Sequence, residues 1–204
     1  MNDKPARYQP HDDRKRAIAA AARALIVEKG FEGLRTRDIA ARVGINISTL
    51  HYHVPSKEAL IELVAQSMRD DFVAQNQRNP RLGVSALDEL KLEFDDFRDT
   101  RTNNPELLLV LEDMSRRARH DENIARYIRP MKLRWQETIV DILRRGIDEG
   151  SFRTDLDPLA GALMIIGAIV SFEKRPLECL EDRYESVVAE ILRSILTEKQ
   201  KREL

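Results

Sequence analysis

Apolar residues recur along most of this chain with the spacing of amphipathic helices. In the segment from about Asp13 to Lys29, residues such as Ile18, Ala22 and Leu25 fall on one helical face, and Gly30 ends the run. No stretch alternates apolar and polar residues as a strand would, and no repeat of about 20 to 50 residues is found. The pattern predicts an all-α fold of about nine helices.

Capping and helix-breaking residues divide the rest of the chain. The loop from Asn76 to Gly83 is the predicted boundary after the fourth helix, which Ser56 caps. Later helices are predicted over about Ser85–Arg101, Leu107–Arg119, Pro130–Ile147, Asp157–Pro176 and Glu181–Glu198. Asn104 should cap the sixth helix ahead of Pro105. Pro130 should kink or break its helix, because its ring clashes with the preceding turn.

Two short helices in the segment TRDIAARVGINISTLHYHVPSK have the spacing of a helix-turn-helix. The first covers Arg37–Val43 and ends at Gly44, since only glycine adopts the left-handed backbone there at low cost. Asn46 caps the second, Ile47 to about His53, which Leu50 alone anchors. A helix that buries so little is not only structural, and its outward residues suit a DNA groove.

The segment from Gly30 to Val64 resembles the N-terminal domain of the TetR family of bacterial transcriptional regulators. That family has a Gly at a helix end, a Thr that caps the next helix, an Ile-Ala pair, a glycine turn, and a Leu-Tyr-x-His run before Ser-Lys. The matching positions here are Gly30, Thr36, Ile39, Ala40, Gly44, Thr49, Leu50, Tyr52, His53, Ser56, Lys57 and Leu60. The resemblance is close over about residues 14–65 and only architectural beyond them.

Four positions depart from the family pattern: Asn46, Ser48, His51 and Val54. Asn caps a helix as well as Ser does, so Asn46 preserves the turn. Val54 stands where Phe is usual and should pack slightly more loosely. Because Ile47 and His51 lie on the outward face, the departures bear on which operator is read and not on the fold.

Charge is distributed unevenly along the 204 residues. The net charge is −1, but residues 1–58 carry eleven Lys and Arg against seven Asp and Glu, so this segment is +4 and the remainder is −5. A basic end on an acidic protein can approach phosphates in one orientation. Together with the helix-turn-helix spacing, this charge distribution favours a DNA-binding domain over 1–58, and the resemblance implies a helical effector-binding and dimerisation domain over 59–204.

Other classes of protein find little support in the sequence. His51 and His53 lie about 200° apart on a helix, so they cannot chelate one metal from one face, and no Gly-rich phosphate loop or nucleophile elbow occurs. The single cysteine, Cys179, cannot form an internal disulfide. The longest apolar run is shorter than a membrane span, and the polar N-terminus has no signal core. We therefore expect a cytoplasmic protein that is not an enzyme and uses no cofactor or metal.

The last two predicted helices, about 158–175 and 181–198, are apolar on more than one face. A surface helix needs only one apolar face, so this pair predicts a partner beyond its own domain. A second copy would complete a four-helix bundle across a twofold axis, and a pair buried inside a monomer is the alternative. A homodimer would place two reading helices in successive major grooves, which implies a pseudo-palindromic operator.

The resemblance implies a repressor released from double-stranded DNA by a small-molecule effector. The predicted DNA-binding residues are Thr36, Arg37, Asn46, Ile47, Ser48, Thr49, His51, Tyr52, His53 and Lys57. The predicted effector-binding residues, which could also be plain core, are Phe72, Phe94, Phe97, Leu108, Leu111, Met114, Met131, Trp135 and Met164. Such an effector would be largely apolar. The alternative is a helix-turn-helix factor that takes no small molecule.

Overall fold

The computed structural model describes residues 10–79, 81–173 and 183–202, and within these ranges the chain is built from helices. The helices are α1 Pro10–Lys29, α2 Thr36–Val43, α3 Ile47–His53, α4 Lys57–Arg78, α5 Ala86–Asn103, α6 Pro105–Arg117, α7 Glu122–Asp148, α8 Pro158–Glu173, α9 Tyr184–Ile195 and α10 Glu198–Lys201. A 3-10 turn, Phe31–Gly33, precedes α2. The extended pairing described is one isolated bridge between Phe152 and Leu196. The predicted all-α fold is confirmed.

One compact unit consists of residues 1–74 and 104–130. Its core is formed by the inner faces of α1, α4, α6 and the first part of α7, with one or two residues from each short helix. The largest fully buried side chains here are Ile18, Leu25, Ile39, Leu50, Ile61, Met68, Leu107, Met114, Ile124 and Ile128. In this unit α1 packs against α2, α3 and α6, so the two short helices rest on a long one.

The second unit consists of residues 75–103 and 131–204. Its core joins Leu90 and Phe94 of α5 to apolar residues of α7, α8 and α9. Gly146 lies so close to Phe152 that an added Cβ would meet the ring at 2.1 Å, so only glycine fits at this point of α7. Helices α4 and α7 each contribute residues to both units.

The structure corrects three expectations about helix ends: a break at Pro130, the start of the boundary loop and the cap at Asn104. α7 is one continuous helix through Pro130, with Ile124 and Ile128 buried before it and Ile139 after it. Packing on both sides outweighs the one hydrogen bond that the proline removes. α4 extends three residues into the predicted boundary loop, as far as Arg78, because the buried Gln75 donates to the Asp96 carbonyl at 2.7 Å and holds the last turn.

The third concerns Asn104, which precedes α6 but makes no side-chain cap. Its amide donates instead to Asp71 Oδ2 at 3.4 Å. Ser56 and Asp157 do cap their helices, since Ser56 Oγ accepts the Ala59 N–H and Asp157 Oδ1 accepts the Leu159 and Ala160 N–H groups.

Some predictions fall on residues that are not described. The predicted start of the ninth helix at Glu181, the limit at Pro176 and the lone Cys179 lie there. The two compact units group residues by contact, whereas the boundary predicted at residue 58 separates functions. That functional boundary stays a prediction.

Candidate nucleic-acid interface

The turn between α2 and α3 has the backbone that the sequence predicts. Gly44 adopts φ 73° and ψ 35°, the left-handed conformation, and its N–H bonds the Ala41 carbonyl at 3.2 Å. The next N–H, of Ile45, bonds the Ala40 carbonyl at 3.0 Å. These bonds satisfy carbonyls at the end of α2 and redirect the chain into α3.

The reading helix α3 is held by one cap and one buried anchor. Asn46 Oδ1 accepts the Thr49 N–H at 2.7 Å, and Leu50 is only 1% exposed. Ile47, Ser48, His51 and Tyr52 are exposed, whereas Thr49 and His53 are half-buried. The Tyr52 and His53 rings meet edge to face, with centroids 5.2 Å apart. An exposed row of hydroxyl, methyl, imidazole and phenol groups thus remains along seven residues of helix.

Three of the predicted DNA-binding residues also line a cavity of about 370 Å³ that we call the α2–α4 groove. Thr36, His51 and Lys57 lie on it, over an apolar floor that includes Phe31 and Leu60. The full lining is Phe31, Glu32, Leu34, Arg35, Thr36, His51, Val54, Pro55, Ser56, Lys57 and Leu60. Sequence reasoning missed Arg35 as a member, although a cation directly before Thr36 was a readable signal.

The start of α2 corrects one implication of the resemblance. Thr36 is the first residue of α2 and not its cap, and the side chain of Arg35 at the cap position bonds the Glu32 carbonyl at 2.8 Å and does not cap the helix. Among the described residues, no side chain accepts a hydrogen bond from the Thr36 or Arg37 N–H, whereas the Asp38 N–H bonds the Arg35 carbonyl at 3.0 Å. N–H groups at the start of a helix are ready donors to an anion.

Cations around the reading helix fall into two groups. Lys29 pairs with Asp38 at 2.7 Å, and Arg42 pairs with both oxygens of Glu28 at 2.7 and 2.8 Å. The hydrogen bond from Lys29 lowers the pKa of the Asp38 carboxyl, and the one from Arg42 lowers the pKa of Glu28. In the described ranges no carboxylate pairs with Arg37 or Lys57.

The predicted effector-binding residues are divided between the two units. Phe72, Leu108, Leu111 and Met114 belong to the first, and Phe94, Phe97, Met131, Trp135 and Met164 belong to the second. Met114 and Phe94 are fully buried and pack as core. Met164 is 45% exposed on α8. The other six are half-buried, and the assignment of all nine to an effector stays a prediction.

Aromatic rings of the second unit gather beside buried charge. The Trp135 indole donates to Glu93 Oε2 at 3.1 Å, and its ring lies parallel to that of Phe97 with centroids 6.4 Å apart. Phe97 also stacks with Tyr184, whose hydroxyl donates to the Phe94 carbonyl at 2.7 Å. Burial raises the pKa of Tyr184, so its phenol stays protonated. The indole has the polar partner that a half-buried Trp requires.

The outer face of α8 is apolar and exposed. Ala162, Ile165 and Ile169 are buried in the core of the second unit. On the other side, side chains of Leu159, Leu163, Met164 and Val170 are 37–53% exposed. This is the helix that the sequence assigned to a dimer.

Two further observations concern the described residues as a whole. No group of three or more His, Cys, Asp or Glu side chains within them is placed to hold a metal ion. None of their helices is both long and apolar enough to cross a membrane.

Comparison with known proteins gives the same DNA-binding segment. Residues 18–64 match the family profile described as "Bacterial regulatory proteins, tetR family". The HTH-type transcriptional repressor KstR2 of Mycobacterium tuberculosis is 25% identical over 146 residues, which are 72% of this chain and 72% of that protein. These relatives are transcriptional regulators and not enzymes, as the sequence predicts.

Solved structures share the fold. A protein from Saccharomonospora viridis, solved in complex with choline, has a TM-score of 0.80 at 23% identity, covering 91% of this chain and 99% of that one. AibR, in complex with isovaleryl coenzyme A and operator DNA, has a TM-score of 0.72 at 20% identity, covering 90% and 98%. At these identities the likeness concerns the fold.

Proposed function

The chain is a TetR-family transcriptional regulator, and on that premise we propose that it is a homodimeric repressor that binds a pseudo-palindromic operator and releases it when a small molecule binds. It acts on DNA in the cytoplasm. The observation that carries the proposal is the geometry around α3: a capped helix with one buried anchor, an exposed polar row, and adjacent cations that pair with no carboxylate among the described residues.

The DNA contacts divide into positioning and reading. Lys57, Arg37 and the start of α2 at Thr36 would hold phosphates, which would fix the register without reading the sequence. Ile47, Ser48, Thr49 and His51 of α3 would meet base edges, with Ile47 suited to a thymine methyl. Tyr52 and His53 would contact the backbone at the helix end. Asn46 serves mainly as the cap, because its carbonyl oxygen is occupied by Thr49.

The exposed face of α8 supports the dimer. Four large apolar side chains at helical spacing are costly to leave in water, and a second copy would cover them symmetrically. Two copies would present two reading helices about 34–36 Å apart, one turn of B-DNA. The proposed interface comprises α8 and α9, corresponding to the predicted helices at about 158–175 and 181–198.

An effector is supported by the fold and by the half-buried apolar residues of both units. Two proteins of the same fold are known in complex with choline and with isovaleryl coenzyme A. An effector can release DNA only through its differential affinity for the DNA-bound and free states, at about 1.4 kcal/mol per tenfold change. We propose that binding tilts α4 and moves the reading helices off their spacing. A factor without an effector remains the second candidate.

The test of the repressor proposal is selection of genomic DNA fragments with purified protein at a stated salt concentration. A single inverted repeat with half-sites about one turn apart is expected. Thr49→Val should change the preferred bases, and Lys57→Ala should weaken all sites alike. Recovery of fragments without any shared motif would contradict the proposal.

The two candidates differ in their response to small molecules. Choline and isovaleryl coenzyme A serve as first probes in a thermal-shift assay on the full chain, together with a ketosteroid, because KstR2 of Mycobacterium tuberculosis is a ketosteroid transcriptional regulator. A broader apolar set follows. A probe that raises the melting temperature and also releases the selected operator supports an effector. If no member of the set releases the operator, the factor without an effector is favoured.

A further inference from the structure

A long-range contact inside the first unit joins α6 to the turn before α2. Asp113 of α6 has a side chain only 11% exposed, and its Oδ2 accepts the Phe31 backbone N–H at 3.0 Å. The two residues are 82 positions apart in sequence. Phe31 begins the 3-10 turn that leads directly into the uncapped start of α2.

The Asp113 carboxylate stays charged although it is buried. Burial by itself raises the pKa of Asp113, but hydrogen bonds from Arg116, the Phe31 N–H and Arg117 outweigh it, and the net effect is a lowered pKa. A carboxylate held by three donors is a fixed acceptor. The Phe31 N–H is therefore tied to a charged group on a different helix and not to its own turn.

The Phe31 ring connects the hydrogen bond to Asp113 with the α2–α4 groove. The ring is 4% exposed and forms part of the groove floor. The Lys57 ammonium lies 5.5 Å from its centroid, and the Arg117 guanidinium lies 5.4 Å from it. A cation at this distance from an aromatic face is attracted to it. Lys57 thus has a preferred position over Phe31 before any phosphate arrives.

We infer that Asp113 is a positioning residue for DNA binding: through the Phe31 N–H it fixes the ring that holds Lys57 at the groove. The inference rests on the proposed function, because it assumes that Lys57 contacts a phosphate. An exposed lysine loses side-chain entropy when it is ordered on DNA, and ordering it beforehand lowers that cost. Its three N–H donors leave it free to bond a phosphate while the ammonium stays over the ring.

The experiment is a double-mutant cycle between Asp113→Ala and Lys57→Ala, with affinity for the selected operator measured by fluorescence anisotropy. Asp113→Ala should weaken binding about tenfold when Lys57 is present and less than about threefold when Lys57 is already alanine. The slope of log affinity against log salt should flatten in Asp113→Ala as it does in Lys57→Ala. Equal effects in both backgrounds would overturn the inference.

Matched controls separate positioning from lost stability. Asp113→Asn keeps an oxygen acceptor for the Phe31 N–H and should recover most of the affinity; a loss as large as that of alanine also contradicts the inference. Asp96→Ala removes a carboxylate of similar burial, paired with Arg81 in the second unit, and should leave the salt slope unchanged. Arg37→Ala should combine additively with Asp113→Ala, because no described contact joins Arg37 to Phe31.

Each variant is assayed below its own melting temperature, so that only folded protein is compared. If the wild-type chain selects no operator at all, the proposed function fails and the cycle is not reached. If the wild type binds and the cycle is additive, the function stands and the role of Asp113 is rejected.

Discussion

Helices α3 and α8 both present unusual surfaces, and their difference indicates what each one meets. α3 has seven residues, one buried anchor and an exposed row of polar groups, whereas α8 has sixteen residues and exposes leucines and a methionine opposite its core face. Exposed polar groups are hydrated in the free protein, so leaving them in water until DNA binds costs little free energy. Apolar groups are stabilised only when another apolar surface covers them. Exposure therefore points to nucleic acid in one case and to protein in the other.

The largest effect is expected from a charge placed on the exposed apolar face of α8. Leu163→Glu should dissociate the proposed dimer and weaken operator binding by about a hundredfold or more, because each half-site is then bound without the other. Sedimentation velocity and operator anisotropy measure the two effects. Val73→Glu, at a position of similar exposure on α4, is the control and should leave the dimer intact. A dimer that survives Leu163→Glu would contradict the proposed role of α8.

A smaller effect is expected on the DNA side, at Lys57. Its replacement by alanine should weaken every sequence about tenfold and reduce the salt slope by about one, as expected when one phosphate contact is lost. Arg42→Ala removes an equal charge that is already paired with Glu28, and its effect should be clearly smaller. Equal losses in the two variants would mean that net charge, and not position, governs binding.

The cap of α3 should contribute more to the stability of the fold than to contact with DNA. Asn46→Ala leaves the Thr49 N–H without its acceptor and should lower the free energy of unfolding by about 1 kcal/mol, whereas Asn46→Ser should retain most of it. Urea denaturation of the full chain measures both. A stable Asn46→Ala variant that loses operator binding would show instead that Asn46 contacts DNA.

The smallest effect concerns pH. The pKa of Asp113 is lowered in the folded chain from its ordinary value of 3.8, so its stabilising contribution is complete above that value and is lost as pH falls through the lower folded pKa. The difference in unfolding free energy between wild type and Asp113→Asn should thus be constant near neutrality and shrink under acid conditions. A difference that grows on acidification would contradict the sign. Urea midpoints at several pH values provide the measurement.

Most of the correct predictions from the sequence depend on signals that act within a few residues. Gly44, Asn46 and Asp157 act within three residues of themselves, so their turns and caps follow from residue type, and α3 is found where it was predicted. Asn104 has the same local signal, but a partner 33 residues away takes its side chain.

Contacts between distant segments left no such signal. The bond from Phe31 to Asp113 spans 82 residues, and no periodicity marks an acid that a folded core will surround with donors. The predicted break at Pro130 is absent for a related reason, since packing along α7 outweighs the local cost of a proline within a helix. Which residues lie near an effector depends on tertiary packing, and that part of the site stays a prediction.

The single buried anchor of α3 determines which substitutions in that helix the fold can tolerate. Because Leu50 and the Asn46 cap hold the helix, substitutions at Ile47, Ser48 and His51 should leave folding almost untouched while they alter base contacts. Binding preference and stability are then separable traits, and new operators can arise by drift in a few codons. For the same reason, a library of variants at these three positions alone could be used to engineer a regulator for a chosen operator.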